Sequence, residues 1–73
     1  MRVLLVEDSL VQAEVTRSKL EVRGVSVICV TTLSQALLAL QEPGIDVILL
    51  DLSLPDSAGV DTFYRVRSAA PDI

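Results

Sequence analysis

Three acids stand where apolar runs end. Glu7 and Asp8 follow Val3-Leu4-Leu5-Val6, and Asp51 follows Val47-Ile48-Leu49-Leu50. Carboxylates packed together repel one another, and a bare cluster raises at least one pKa. A divalent cation removes the conflict. Magnesium suits such a group, because it takes oxygen ligands in octahedral geometry and keeps some of its waters. A metal held there would bring a phosphodonor into line with a carboxylate nucleophile and offset developing charge. Attack of Asp51 on phosphorus would form an acyl phosphate, a form of covalent catalysis open to carboxylates. Each feature alone has a plainer reading. Glu7 and Asp8 would favour the positive end of a following helix, Asp51 would be a polar strand end, and Pro55, Asp56 and Gly59 are common turn residues. The combination is more specific than its parts: an acid pair after one strand, an acid at another, then Leu-Pro-Asp and Gly.

These acids can meet only if the elements that carry them lie side by side. Residues 3–6 form a continuous apolar run bounded by charge, which fits a strand buried on both faces. Asp8 or Ser9 can cap a helix in which Val11, Val15 and Leu20 are read as one face, with Gly24 closing it as the residue after the cap. Residues 25–30 are rich in β-branched side chains and read as a second strand. Thr31 or Thr32 then opens a helix to about Leu40, with Leu33, Ala36, Leu37 and Leu40 on an apolar stripe and Pro43-Gly44 as its stop. Residues 46–52 make the third and most apolar strand. Pro55-Asp56 turns the chain, and a third helix follows Gly59 with Val60, Phe63 and Val66 on one face, ending at Ala69-Ala70-Pro71. The order βαβαβα, with short loops, predicts an α/β fold with parallel strands and right-handed crossovers. In such sheets ligands gather beyond the carboxyl ends of the strands, where strand order reverses.

Composition narrows the function classes. The 73 residues are 51% hydrophobic, with a mean hydropathy of +0.55. That is high for so small a domain and points to buried strands, or to apolar surface meant for a partner or for missing sequence. Ten acids against six bases give a net charge of −4, which disfavours direct contact with nucleic acid; Arg65 and Arg67, the densest basic spot, read as a solvated helix face. Cys29 is the sole cysteine and reads as a small buried core residue. With no histidine in the chain, neither a Cys–His nucleophile nor the usual zinc site is expected. The first apolar run ends at Glu7-Asp8, too early for a signal-peptide core or a membrane span. A soluble, cytoplasmic protein is the expectation.

The stretches Val3-Leu4-Leu5-Val6-Glu7-Asp8-Ser9 and Asp51-Leu52-Ser53-Leu54-Pro55-Asp56-Ser57-Ala58-Gly59-Val60-Asp61 resemble the receiver domains of two-component response regulators. Gly24 and Ala36-Leu37 match that family's pattern as well, and the resemblance runs the length of the chain. It implies a three-layer flavodoxin-like fold with local strand order 2-1-3, a member of the group whose order 2-1-3-4-5 is a standard example of the switch-point rule. It implies that Asp51 is the phosphoacceptor, that Asp8 is a direct Mg2+ ligand, and that Glu7 acts mainly through bound water. The Ser53 backbone carbonyl would add a ligand, and Pro55 and Gly59 would shape the adjoining loop. The implied phosphodonor is a histidine kinase, a phosphotransfer protein or a small acyl phosphate.

A complete receiver of this family has five βα units, and residues 1–73 match the first three, the N-terminal part of a single domain. The Ser or Thr that ends the fourth strand and the Lys that ends the fifth fall outside the match; Lys19, in mid-helix, is no substitute. Residues 1–73 thus carry the half of the site that binds metal, and by themselves they are expected neither to complete phosphoryl transfer nor to act as an enzyme. Order 2-1-3 would leave residues 46–52 as an apolar sheet edge, a template for pairing with another copy. Self-association through that strand is therefore expected. A receiver-derived assembly module without phosphotransfer competence is the alternative function. A dehalogenase-like phosphatase would need a second Asp two residues after Asp51, where Ser53 stands. A nucleotide-binding module would need glycine in the loop Glu7-Asp8-Ser9-Leu10-Val11, which has none.

Overall fold

The computed structural model describes all 73 residues. Strand β1 (Arg2–Val6), helix α1 (Leu10–Glu21), strand β2 (Ser26–Val30), helix α2 (Leu33–Ala39) and strand β3 (Val47–Leu50) come first. Two short strands, β4 (Ser53–Leu54) and β5 (Ser57–Ala58), then precede helix α3 (Val60–Ala69). The main sheet is parallel, as the βαβαβα pattern predicts, and its order β2-β1-β3 is the one that the receiver resemblance implies. Val3, Leu4, Leu5 and Val6 are all buried. A strand flanked on both edges and covered on both faces has no solvated side, so an uninterrupted apolar run belongs at the centre.

The two faces of the sheet are filled unequally. Leu4 and Val6 pack with Leu33, Ala36, Leu54 and Val66 in the main core, where α2 and α3 also touch each other. Ile48 and Leu50, which pair with Leu4 and Val6, join this core half-buried. The opposite face, with Val3 and Leu5, is covered by α1 alone. Their partners across the edge, Val47 and Leu49, remain 37% and 38% exposed.

Several expected faces turn differently. Val11 and Val15 are exposed, while Ala13 is buried and Leu20 half-buried. The reason is angular: at 100° per residue Val11 and Leu20 lie on opposite sides of a helix, whereas 13, 16, 17 and 20 form a single stripe. In α3 the buried residues are Thr62 and Val66, and Val60 and Phe63 are more exposed than expected of a core face. Cys29 is exposed rather than in the core. It lies on edge strand β2, opposite Leu5 on the sparsely covered face. The α2 stripe holds: Leu33 and Ala36 are buried and Leu37 and Leu40 half-buried.

Element ends follow local chemistry. Ser9, not Asp8, caps α1 by accepting the Gln12 N–H (3.3 Å), and Thr32, not Thr31, caps α2 by accepting that of Gln35 (3.1 Å). Gly24 (φ +81°) lies two residues beyond the α1 C-cap, Val22, one later than expected. The second and third strands are shorter than residues 25–30 and 46–52. Asp46 stands just outside β3 and clamps the end of β1: its carboxylate accepts the Arg2 N–H (2.7 Å) and its own N–H donates to the Arg2 carbonyl (2.9 Å).

Candidate functional site

The pairing of β1 with β3 decides the site. Val6 stands opposite Leu50, so the residues that follow both strands emerge together. The ladder continues one step further, with the Asp51 N–H donating to the Val6 carbonyl and the Glu7 N–H to the Val30 carbonyl (3.0 Å each). Two backbones thus hold the chain on either side of the acids. Carboxylate oxygens of Glu7, Asp8 and Asp51 come within 4.8 Å of one another. Glu7 and Asp51 are half-buried and Asp8 is exposed. Glu7 and Asp51 border an open cavity of about 500 Å³, whose wall also includes Gln12, Thr16, Leu49 and Leu50.

No basic side chain compensates this charge. The ion pairs of the molecule join Arg17 to Glu14 and Glu21 on α1. The consequence appears at Glu7, whose carboxyl is held above its ordinary value. Burial is the main cause, followed by the neighbouring Asp51 carboxylate; the Ser9 backbone works in the other direction, and the charge of Asp8 adds a smaller upward push. Three hard oxygen donors at close range, without a protein cation, match the donor set that a small divalent cation requires.

The loop after Asp51 contains a feature absent from the sequence reading. Residues expected as a simple turn form a miniature antiparallel hairpin, with Ser53 opposite Ala58 and Leu54 opposite Ser57. Pro55 and Asp56 are its two turn residues and are exposed. Leu54 drops into the main core. The Ser57 and Thr62 hydroxyls hydrogen-bond at 2.6 Å, tying the hairpin to α3. The Ser53 N–H donates to Asp51 Oδ1 at 2.9 Å, so the loop orients one carboxylate oxygen. Gly59 N–H donates to the Leu52 carbonyl, and Gly59 caps α3 at φ +71°, ψ −161°, a region open essentially to glycine.

Asp56 does more than turn the chain. Its Oδ1 accepts the Leu33 N–H (2.8 Å), and Oδ2 accepts the Ser34 N–H and hydroxyl (3.0 Å each). These bonds to the α2 amino end, led by the backbone N–H of Leu33, hold the Asp56 carboxyl below its ordinary value. Asp56 and Leu33 are 23 residues apart, and no periodicity marks such a contact in sequence.

Residues 3–73 match the family model for the response regulator receiver domain. A luminescence regulatory protein, LuxO, from Vibrio campbellii is 38% identical over 69 residues, covering 94% of this chain and 15% of its own. A probable transcriptional regulatory protein, TcrX, from Mycobacterium tuberculosis is 34% identical over 71 residues, covering 97% of this chain and 30% of its own. Among solved structures, a CheY-like receiver domain from Methylobacillus flagellatus superposes with a TM-score of 0.85 at 32% identity, covering 93% of this chain and 58% of that one. The non-phosphorylated HemR receiver domain from Leptospira biflexa gives 0.81 at 35%, covering 97% and 57%. The MaeR response regulator bound to beryllium trifluoride gives 0.83 at 28%, covering 93% and 57%. The chain thus spans less than a third of these two curated relatives and somewhat over half of the solved receivers.

Proposed function

This chain belongs to the response regulator receiver family, and we propose from that premise that it accepts a phosphoryl group on Asp51. The supporting observation is the uncompensated meeting of Glu7, Asp8 and Asp51 within 4.8 Å at the carboxyl ends of β1 and β3. Asp8 and Asp51, with the Ser53 carbonyl, would hold Mg2+, and Glu7 would act through bound water. When bound, the ion offsets the carboxylate charge and that of the incoming phosphoryl group.

The protein's own part is positional. The Ser53 N–H holds Asp51 Oδ1 and so presents the other oxygen to phosphorus. An Oδ–P bond forms as the donor's P–N bond (phosphohistidine) or P–O bond (acyl phosphate) breaks, and the departing imidazole or carboxylate keeps the bonding pair. Pro55 and Gly59 shape the loop that places Ser53. In this reading Asp51 is a phosphoacceptor in signal transduction and not a turnover catalyst. The donor is a histidine kinase or phosphotransfer protein, and the setting is the cytoplasm; no helix of the chain is long and apolar enough to cross a membrane. Residues 1–73 are the first three βα units of one receiver domain, in keeping with the 57% of the HemR receiver that they cover. Pairing of two copies through residues 46–52 has the exposure of Val47 and Leu49 in its favour. Nothing in the relatives favours an assembly module lacking phosphotransfer.

The test is incubation of a receiver domain that contains residues 1–73 with a small acyl phosphate and Mg2+, followed by intact-mass measurement. The expected product is a single phosphoryl adduct that hydroxylamine removes and Asp51→Asn abolishes. An adduct that survives in the Asp51→Asn chain would refute the assignment. Beryllium trifluoride, which the MaeR regulator carries in its structure, should bind in the same Asp51-dependent way.

A further inference from the structure

The carboxylate of Asp56 accepts three hydrogen bonds from the first turn of α2, at 2.8, 3.0 and 3.0 Å. It stands at the tip of the β4–β5 hairpin, whose other end delivers Ser53 to Asp51. The hairpin has only two paired positions, too few for independent stability in water. Its geometry must come from its attachments. Leu54 in the core fixes the underside, and the Ser57–Thr62 hydroxyl pair fixes the α3 side. Asp56 is the attachment to α2, and α2 is itself anchored in the core through Leu33 and Ala36. A charged acceptor on two backbone N–H groups and a hydroxyl forms charge-assisted bonds, the stronger kind.

We propose that Asp56 is a positioning residue for the phosphoacceptor site, acting as a clasp that couples the N-terminus of α2 to the loop holding Asp51. Its carboxylate sets where the hairpin tip lies, the hairpin sets Ser53, and Ser53 sets the Asp51 carboxylate. Groups that orient metal ligands from outside the coordination sphere typically contribute about 10–100-fold in affinity. The inference deepens the phosphoacceptor reading and rests on it for its functional consequence.

Three variants separate positioning from general support of α2. Asp56→Ala removes the clasp. Thr32→Ala removes the other cap of the same helix, whose hydroxyl accepts the Gln35 N–H, without touching the loop. Asp56→Asn keeps the size of the side chain but loses its charge and one acceptor oxygen. Mg2+ affinity is read by calorimetry, and hairpin integrity in metal-free chain by NMR contacts between Ser53 and Ala58 and between Leu54 and Ser57. Asp56→Ala is expected to lose the hairpin contacts and weaken Mg2+ about tenfold, with Asp56→Asn intermediate and Thr32→Ala within about twofold of the parent. Intact hairpin contacts in Asp56→Ala would overturn the clasp, as would an equal loss in Thr32→Ala. If the parent chain binds no Mg2+, the metal reading fails while the hairpin contacts still decide the clasp.

Discussion

Replacing Asp51 with Asn should make the metal-free protein more stable, although it removes the proposed reactive group. Glu7, Asp8 and Asp51 lie within 4.8 Å with no basic partner. At that separation one pair of like unit charges repels by about 0.9 kcal/mol in a water-like dielectric. Asp51 faces two such partners, and a Debye length of about 8 Å at physiological salt roughly halves the total. The amide oxygen that Asp51→Asn introduces can still accept the Ser53 N–H, so the relief of about 1 kcal/mol is nearly unopposed. For a domain of this size the melting temperature should rise by about 4–8 °C. The assay is thermal unfolding followed by circular dichroism at about pH 8, well above the carboxylate range, at low and high salt, with and without Mg2+. The gain should shrink in high salt. Saturating Mg2+ should reverse the order, because the ion stabilises only the form that binds it.

The pH dependence has a definite sign. The Glu7 carboxyl is raised above its ordinary 4.5, so the folded chain keeps a proton that the unfolded chain has released. That contribution is fully present below about 4.5 and is lost as pH rises through the raised value. The Asp51→Asn change removes the Asp51 charge but leaves burial, the main cause. The variant should therefore lose less stability over the same window. Two results would contradict this account: a variant no more stable than its parent at alkaline pH in low salt, or a gain indifferent to salt.

Three further outcomes follow from the packing. Leu54, 7% exposed in the main core, should cost about 2–5 kcal/mol as Leu54→Ala, whereas Leu38→Ala on the surface should cost under about 0.5 kcal/mol; urea unfolding measures both. Gly59→Ala meets no atom within 4 Å, so its cost is backbone strain alone, about 1–3 kcal/mol, and it should slow adduct formation at Asp51 by disturbing the Leu52–Gly59 bond. Asp56, with its carboxyl below the ordinary 3.8, contributes stability that is present above that value and lost as pH falls through the lowered one. Asp56→Asn should flatten that part of an acid titration, read by circular dichroism.

Much of this architecture is written in local patterns. The run Val3-Leu4-Leu5-Val6 marks a strand covered on both faces, because only there can four successive apolar side chains be buried; its place between β2 and β3 is decided by packing, since the equally apolar run Val47–Leu50 stands at the edge. The α2 stripe follows from spacing, and residue type narrows each cap to two neighbours, between which the structure selects Ser9 and Thr32. The candidate acids were legible because each ends an apolar run, and parallel strands deliver their carboxyl ends to one edge. Faces were less legible where polar and apolar residues mix. Ala13, Thr16 and Leu20 form the stripe of α1 turned toward the sheet, yet Val11 and Val15 are the more hydrophobic residues there, and they face water. Thr62 is fully buried beside the more apolar Phe63, because helix phase and the Ser57 hydroxyl outweigh side-chain hydropathy. Cys29 is small and apolar, but an edge strand under a single helix leaves it open.

The order of elements, the apolar strand runs and the three acids depend on the properties of neighbouring residues, and those are present in the chain before it folds. What joins distant segments is settled only when the chain is packed. Packing set Val6 against Leu50, which brings the acids within 4.8 Å of one another, and it closed the hairpin that hands the Ser53 N–H to Asp51. It also placed Asp56 on the amino end of α2. A carboxylate's partner at a separation of 23 residues depends on where two chain segments come to rest, and no short-range pattern encodes that.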